Sequence, residues 1–367
     1  MTADRLVIRN FRNIENQTVV FSEGTNVLWG ENAQGKTNIL EAMFLLSCGR
    51  SFRGANDREL TRHGERGFSL ALSFRTRERD MKIELEYGGR KAFRLNGAPV
   101  RRTADVVGRF CCVLFAPEHL SLIKGGPAEK RRFTDMALCQ MKPAVFSALS
   151  DYQRVVSQKN ALLRAAAEGR ASLSSLDVWN ERLAALCVVI QKNRAEFLES
   201  CRSRAAEVQR ELSSGREELG IVYEPSPAGE DGAALSEGGI MDRLNALRER
   251  EAAAGGCLIG AQRDSFAVLI NGRDARDFAS QGQQRSAVLA LKNAECAVLG
   301  EAVGEEPTLL LDDVLSELDP FRRAYVLSSV RDRQVILTCC EAESAENIGR
   351  VRFMKVKNGA VTGEDPV

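Results

Sequence analysis

Gly30-Glu31-Asn32-Ala33-Gln34-Gly35-Lys36-Thr37 reads G-x-x-x-x-G-K-T, the pattern of a loop that wraps backbone N–H groups round a phosphate. Its flanks suit that use. Thr25-Asn26-Val27-Leu28-Trp29 ahead of it is short, apolar and β-prone, and Asn38 to Leu46 behind it has helical spacing. Strand, glycine loop and helix are what the chemistry needs. The glycines let N–H groups turn inward on an anion, and the helix start adds its positive dipole end. The stretch Gly30, Glu31, Asn32, Ala33, Gln34, Gly35, Lys36, Thr37 is therefore expected to cradle a nucleoside triphosphate, ATP. Lys36 would reach the β- and γ-phosphates, and Thr37 would offer its hydroxyl to Mg²⁺.

Two further stretches narrow this reading. Leu309-Leu310-Leu311-Asp312-Asp313 is an apolar strand ending in two carboxylates, the form of a Walker B strand. Asp312 would hold Mg²⁺, largely through water. Asp313 would orient or deprotonate the attacking water. Phosphoryl transfer works mostly by positioning and charge stabilisation, which calls for carboxylates at that place. Ser280-Gln281-Gly282-Gln283-Gln284-Arg285 opens a helix ahead of that strand. It resembles the signature motif of the ABC-type ATPases. A serine hydroxyl, a glycine that permits close approach and a helix N-terminus make a second phosphate-binding device. Ser316-Glu317-Leu318-Asp319 resembles the D-loop of the same group. There, the signature of one subunit closes on the γ-phosphate held by another. The resemblance implies that Ser280, Gln281, Gly282 and Gln283 act in trans, in an ATP-dependent homodimer.

Working outward, Arg5–Ile8 and Thr18–Phe21 read as strands, and Gly49-Arg50-Ser51-Phe52-Arg53-Gly54 is a basic loop. Phe68–Phe74, Met81–Tyr87 and Ala92–Leu95 alternate apolar with polar, and Asn96-Gly97 marks a hairpin, so a largely antiparallel sheet is expected. Phe110–Phe115 is a buried strand. From Pro127 the pattern turns to long helices. Leu176, Trp179, Leu183, Leu186, Ile190, Phe197, Cys201 and Val208 form a heptad-like stripe, broken by Asn193 at an inward position. Glu224–Gly232 is a Pro/Gly-rich break. Phe266–Ile270, Asn271-Gly272 and Arg273–Phe278 read as a hairpin. Asp319-Pro320 reads as a helix cap and first turn. The expected class is α/β: an ABC/SMC-type P-loop ATPase head with mixed sheets. Residues 1–126 and 255–367 form the head, and 127–254 an inserted α-helical arm.

The 367 residues carry 51 Lys+Arg against 50 Asp+Glu, a net charge of +1. No global field draws such a chain to nucleic acid or membrane, so any such contact must be local. No apolar window approaches the roughly 20 residues of a membrane helix, and no signal peptide is read at Met1–Arg12. Of ten cysteines none forms a C-x-x-C pair, and the histidines are His63 and His119. Zinc is not expected; the cysteines read as reduced core residues. A soluble, cytoplasmic protein is expected.

Four stretches together resemble the RecF family of bacterial recombination mediators, which are SMC-like ABC-type ATPases. They are Leu6–Ile14 with Arg9-Asn10-Phe11-Arg12-Asn13, Gly49–Arg53, Phe115–Leu120 through Gly126–Arg132, and Ser280–Arg285. The resemblance runs in order across nearly the whole chain. It implies DNA binding at gaps and junctions, with a role in repair, replication and recombination. It also implies partnership with RecR and RecO, help in loading RecA, and DNA contacts at Arg50, Arg53, Lys130, Arg131 and Arg132. Aromatics at 6% argue against a base-stacking groove as the main mode.

The chain departs from the pattern at three places. Gly260-Ala261-Gln262-Arg263-Asp264-Ser265 stands where Gly-Pro-His-Arg-Asp-Asp is expected. Thr338-Cys339-Cys340 offers no switch histidine of the transporter ATPases, and Asp313 replaces their glutamate. A shorter base without that histidine points to slow hydrolysis, a switch rather than a pump, and the resemblance implies that it depends on DNA. No Q-loop glutamine is evident; Glu118 is the nearest candidate. The main alternative is the nucleotide-binding subunit of an ABC transporter. A long-armed SMC protein would need longer coiled coils, and a P-loop kinase would not need Ser280-Gln281-Gly282-Gln283.

Overall fold

The computed structural model describes residues 1–329, 333–342 and 351–365. Strands β1 (Thr2–Phe11), β2 (Ile14–Val20) and β3 (Thr25–Trp29) lead to helix α1 (Lys36–Cys48) and a single turn, α2 (Asp57–Leu60). Then come β4 (Phe68–Arg75), β5 (Asp80–Tyr87), β6 (Lys91–Leu95), β7 (Ala98–Val100) and β8 (Cys112–Phe115). Helices α3 (Pro127–Met141), α4 (Pro143–Ala167) and α5 (Leu176–Leu212) precede β9 (Leu219–Glu224), α6 (Glu237–Ala246) and α7 (Arg248–Ala254). The chain continues with β10 (Ser265–Ile270), β11 (Arg273–Asp274), α8 (Ala275–Phe278), α9 (Gln281–Val303) and β12 (Thr308–Asp312). It closes with α10 (Pro320–Ser329), β13 (Val335–Cys339), β14 (Val351–Lys357) and β15 (Ala360–Asp365).

The expected mixed sheets are present. One is wholly antiparallel, in the order β2-β1-β4-β5-β6-β7. Another runs β15-β14-β3-β13-β12-β8, with parallel pairing from β14 to β8 and antiparallel β15 at one edge. Strand residues point alternately to the two faces of a sheet, so a sheet buried on both faces has two cores. Leu28, Leu114, Leu310, Ile336 and Val356 join α1 and the antiparallel sheet in one core. Val27, Phe115, Leu311 and Leu337 join α3, α4, α5 and α9 in the other. Helix α1 lies between two sheets and is buried nearly all round, which accounts for its run of Ile39, Leu40, Met43, Phe44 and Leu46. Nine of the ten cysteines are buried, Cys340 is exposed, and all ten are thiols. Burial pushes the thiols of Cys111, Cys112 and Cys139 up to about 12, so they behave as small apolar residues.

Three details differ from expectation. Strand β9 was not expected within 127–254; it pairs antiparallel with β10, Tyr223 opposite Phe266. The hairpin after β10 has a second strand of two residues only, because Asp274 caps α8 by accepting from Arg276 N at 2.8 Å. The polar break in the α5 stripe is not Asn193, which is half-buried and accepts from Lys142 Nζ. Buried polar groups along α5 instead include Asn180, Gln191 and Arg194. Helix α5 has 37 residues, roughly 55 Å at 1.5 Å per residue. Its stripe lies on α4 and α9 in a shared core rather than standing free in solvent.

Candidate nucleotide-binding site

In the second sheet, β3, β13, β12 and β8 are successive parallel neighbours, so their carboxyl ends share one edge. Open α/β sheets bind ligands at that edge. The P-loop follows β3, Cys340 follows β13, Asp313 follows β12 and Glu118 follows β8. Four motifs far apart in sequence therefore become one line of loops.

The loop's shape needs its glycines. Gly30 has φ +146, and a Cβ there would stand 2.4 Å from the Val356 carbonyl oxygen. Gly35 has φ +109, and a Cβ there would stand 2.8 Å from Asn13 Oδ1. Lys36 is buried, and its Nζ donates to the carbonyls of Gly30 and Glu31, which holds the ammonium over the loop. Gln34 pins the loop to the β14–β15 turn: Asn358 N donates to its Oε1 at 2.7 Å and Gly359 N to its carbonyl at 2.8 Å.

Thr37 Oγ1 donates to Asp312 Oδ1 at 2.8 Å, joining P-loop and Walker B strand. Thr338 Oγ1 donates to the same oxygen at 2.8 Å and accepts from Asp313 N at 2.9 Å. Burial raises the Asp312 carboxyl above its ordinary value, and the Thr37 and Thr338 hydrogen bonds work against that rise. A hydroxyl and a buried carboxylate within one hydrogen bond of each other fit Mg²⁺, a hard cation that takes one or two protein ligands beside phosphate oxygens. Thr37 and Asp312 are the residues that would hold it. Asp313 adopts φ +49, a left-handed turn that leads the chain out of β12. Cys340, exposed just past β13, lies 3.2 Å from Asn32 Oδ1 of the P-loop.

Glu41 was not singled out in the sequence. It is fully buried and accepts from Arg12 through both carboxylate oxygens, at 2.9 and 2.8 Å, and from Ser51 Oγ at 2.5 Å. It ties the end of β1 and the basic loop to α1. It is the one acidic residue in that helix, which was the available signal. Arg53 donates to Asn38 Oδ1 at 3.2 Å and stands 3.8 Å from Glu41. Its charge works against the rise that burial gives the Asp312 carboxyl.

Ser280 caps α9 in a reciprocal box: Gln283 N donates to Ser280 Oγ at 3.3 Å and Ser280 N to Gln283 Oε1 at 2.8 Å. Gln283 Nε2 also donates to Glu217 at 2.9 Å. Ser280 and Gln281 are exposed, and the Gly282 carbonyl accepts from Arg322. None of these partners belongs to the P-loop. Phe278 and Phe321, 69% and 58% exposed, flank this face.

Arg50, Arg131 and Arg132 line one cleft of about 760 Å³ between the basic loop and α3. Lys130 is a correction. It is buried, and its Nζ donates to the Phe266 carbonyl at 2.8 Å. Successive helix residues turn by roughly 100°, so three adjacent cations cannot share one outward face. Arg131 donates to the Asp264 carbonyl at 2.8 Å and Arg132 is exposed.

A phosphate loop at a sheet edge is common to many P-loop folds. A capped S-Q-G-Q helix set apart from it, with an inserted helical segment between, marks the head of an SMC-like ABC ATPase. The family described as RecF/RecN/SMC N terminal domain matches residues 2–362. Within it, the chain belongs to the RecF family. It is 39% identical to the DNA replication and repair protein RecF of Acetivibrio thermocellus over 365 residues, 98% of this chain and 99% of that one. It is 38% identical to RecF of Geobacillus kaustophilus over 370 residues, 99% of each. The solved structure of the recombination mediator protein RecF-ATP in the RecFOR pathway matches with TM-score 0.90 at 33% identity. That match covers 99% of this chain and 97% of that one. The Smc head domain of Pyrococcus furiosus shares the fold, with TM-score 0.56 at 15% identity. These matches do not favour a transporter subunit. Among the described residues, no helix is long and apolar enough to cross a membrane.

Proposed function

We propose that ATP joins two copies of this chain head to head, forms a DNA-binding face for recombinational repair, and releases it on hydrolysis. The observation that carries this reading is that the hydrogen-bond partners of Ser280–Gln283 within one chain lie outside the P-loop, with Ser280 and Gln281 exposed beside Phe278 and Phe321. Each phosphate site is then half-built until a second copy brings its signature. Lys36 and Thr37 hold the triphosphate and Mg²⁺ with Asp312, and Asp313 positions water.

Asp313 in place of glutamate, and Thr338-Cys339-Cys340 without a switch histidine, support slow turnover. In DNA repair the complex would act at single-strand gaps and junctions, with RecR and RecO, to help load RecA, as the family pathway implies. Sizing in solution should show dimers with ATP, and more so with gapped DNA, and hydrolysis well under transporter rates. A monomer at saturating ATP, or turnover of tens per second, would overturn the reading.

DNA contacts fall to the exposed Arg50 and Arg132 in the cleft. The double variant Arg50→Ala/Arg132→Ala should weaken binding alike across sequences. It should also flatten the slope of log affinity against log salt by about 1.8, roughly 0.9 per lost phosphate contact. An unchanged slope, measured by anisotropy between low and moderate salt, excludes both residues.

A further inference from the structure

By sequence, Arg322 and Arg323 are a basic pair on a solvated face. In the structure both are half-buried, and their guanidinium groups reach different motifs. Arg322 donates through Nε to Ser286 Oγ at 2.9 Å, through Nη2 to the Gly282 carbonyl at 2.7 Å, and through Nη1 to the Asp319 carboxylate. One planar fork thus joins the signature backbone, the next turn of α9 and the cap of α10. Asp319 in turn caps α10 by accepting from Arg322 N at 3.1 Å. Arg323 donates to the carbonyls of Leu315 at 3.1 Å and Leu318 at 3.4 Å. Those carbonyls belong to the turn that follows Asp313, and Ser316 Oγ closes it by donating to the Asp313 carbonyl at 2.7 Å. A chain of hydrogen bonds and backbone therefore runs from Gly282 to Asp313. Arg322 also places a cation at the positive end of α9, where the helix dipole opposes it. Asp319 offsets that charge, and a phosphate on Ser280 would offset it further.

We propose that Arg322 is a positioning residue that couples the two nucleotide sites of the dimer. This rests on the head-to-head reading above. In that dimer a chain's signature closes on its partner's nucleotide, while its Asp313 faces its own. Arg322, with Arg323 behind it, makes closure at the first site set the placement of Asp313 at the second. The two sites then hydrolyse cooperatively.

The test compares Arg322→Lys, Arg322→Ala and Ser286→Ala with the parent chain by steady-state hydrolysis across ATP concentration. Lysine keeps the charge but has no fork to span three acceptors, and Ser286→Ala removes one acceptor while leaving Arg322 in place. The parent should show a Hill coefficient approaching the two sites of the dimer. Arg322→Lys and Arg322→Ala should fall towards a coefficient of one and lose on the order of 10- to 100-fold in kcat, with Ser286→Ala between. Binding of a non-hydrolysable ATP analogue to the dilute monomer should stay within about twofold, well under the tenfold that 1.4 kcal/mol represents. Parent-like kcat and cooperativity in Arg322→Lys, with ATP dimers intact, overturns the coupling alone. No ATP dimer in the parent overturns the reading beneath it.

Discussion

Lys36→Met is expected to weaken ATP binding on the order of 100-fold and to abolish both ATP-induced association and ATP-stimulated DNA binding. The ammonium is buried over the loop, where it donates to the Gly30 and Glu31 carbonyls. A charge-assisted hydrogen bond contributes about 1.5–3 kcal/mol, and each 1.4 kcal/mol is roughly tenfold in affinity. Methionine fills similar space as a flexible, unbranched side chain, so the change removes charge more than packing. Nucleotide titration with a fluorescent analogue reads the first loss, and sizing with ATP reads the second. Unchanged association in this variant would sink the composite-site mechanism, because there ATP is the only link between a signature and a distant P-loop.

Asp264→Asn should cost about 3–5 kcal/mol of folding stability, the usual penalty for breaking one partner of a buried ion pair. Asp264 is fully buried. It accepts from Gln191 Nε2 at 2.9 Å, Ser226 N at 2.8 Å, Arg194 Nη1 at 2.7 Å and Tyr223 OH at 2.5 Å. Arg194 also holds both carboxylate oxygens of Asp135 at 2.8 Å. The group thereby fastens α5, α3 and the chain after β9 to the loop before β10. Asparagine keeps the shape but turns one acceptor into a donor facing donors, and leaves Arg194 with a single carboxylate. A lower urea midpoint at unchanged slope is the expected readout; an unmoved midpoint would show the network to be dispensable.

That aspartate sits in the stretch whose histidine is replaced by Gln262. Tyr152 OH donates to Gln262 Oε1, and Gln262 Nε2 donates to the Ile259 carbonyl at 2.9 Å. The substituted residue is thus built into the packing between α4 and the loop.

The motifs legible in sequence are those whose chemistry lies within a few residues. Gly30–Thr37, Asp312-Asp313 and Ser280–Arg285 carry their own spacing, and the strands and helices beside them follow period and cap. What sequence did not reveal depends on partners far away. Strand β9 is six residues against a Pro/Gly break, and its partner β10 lies beyond two helices. Glu41 reads as an ordinary helix residue until Arg12 and Ser51 arrive on it. The Lys130-Arg131-Arg132 run reads as one patch, yet helix rotation sends Lys130 into the core. Asn358-Gly359, at φ +50 and +78, is the same turn signal as Asn96-Gly97. It anchors the phosphate loop through Gln34.

That anchor bears on timing during synthesis. The P-loop is made early, but β3 lies between β13 and β14, with Val27 opposite both Leu337 and Phe353. Its loop is held by Asn358 and Gly359. A nascent chain that has emerged only as far as α10 therefore exposes Lys36 on an unsupported strand. Tight nucleotide recognition is therefore expected only once β13, β14 and β15 have joined β3 and closed on the loop.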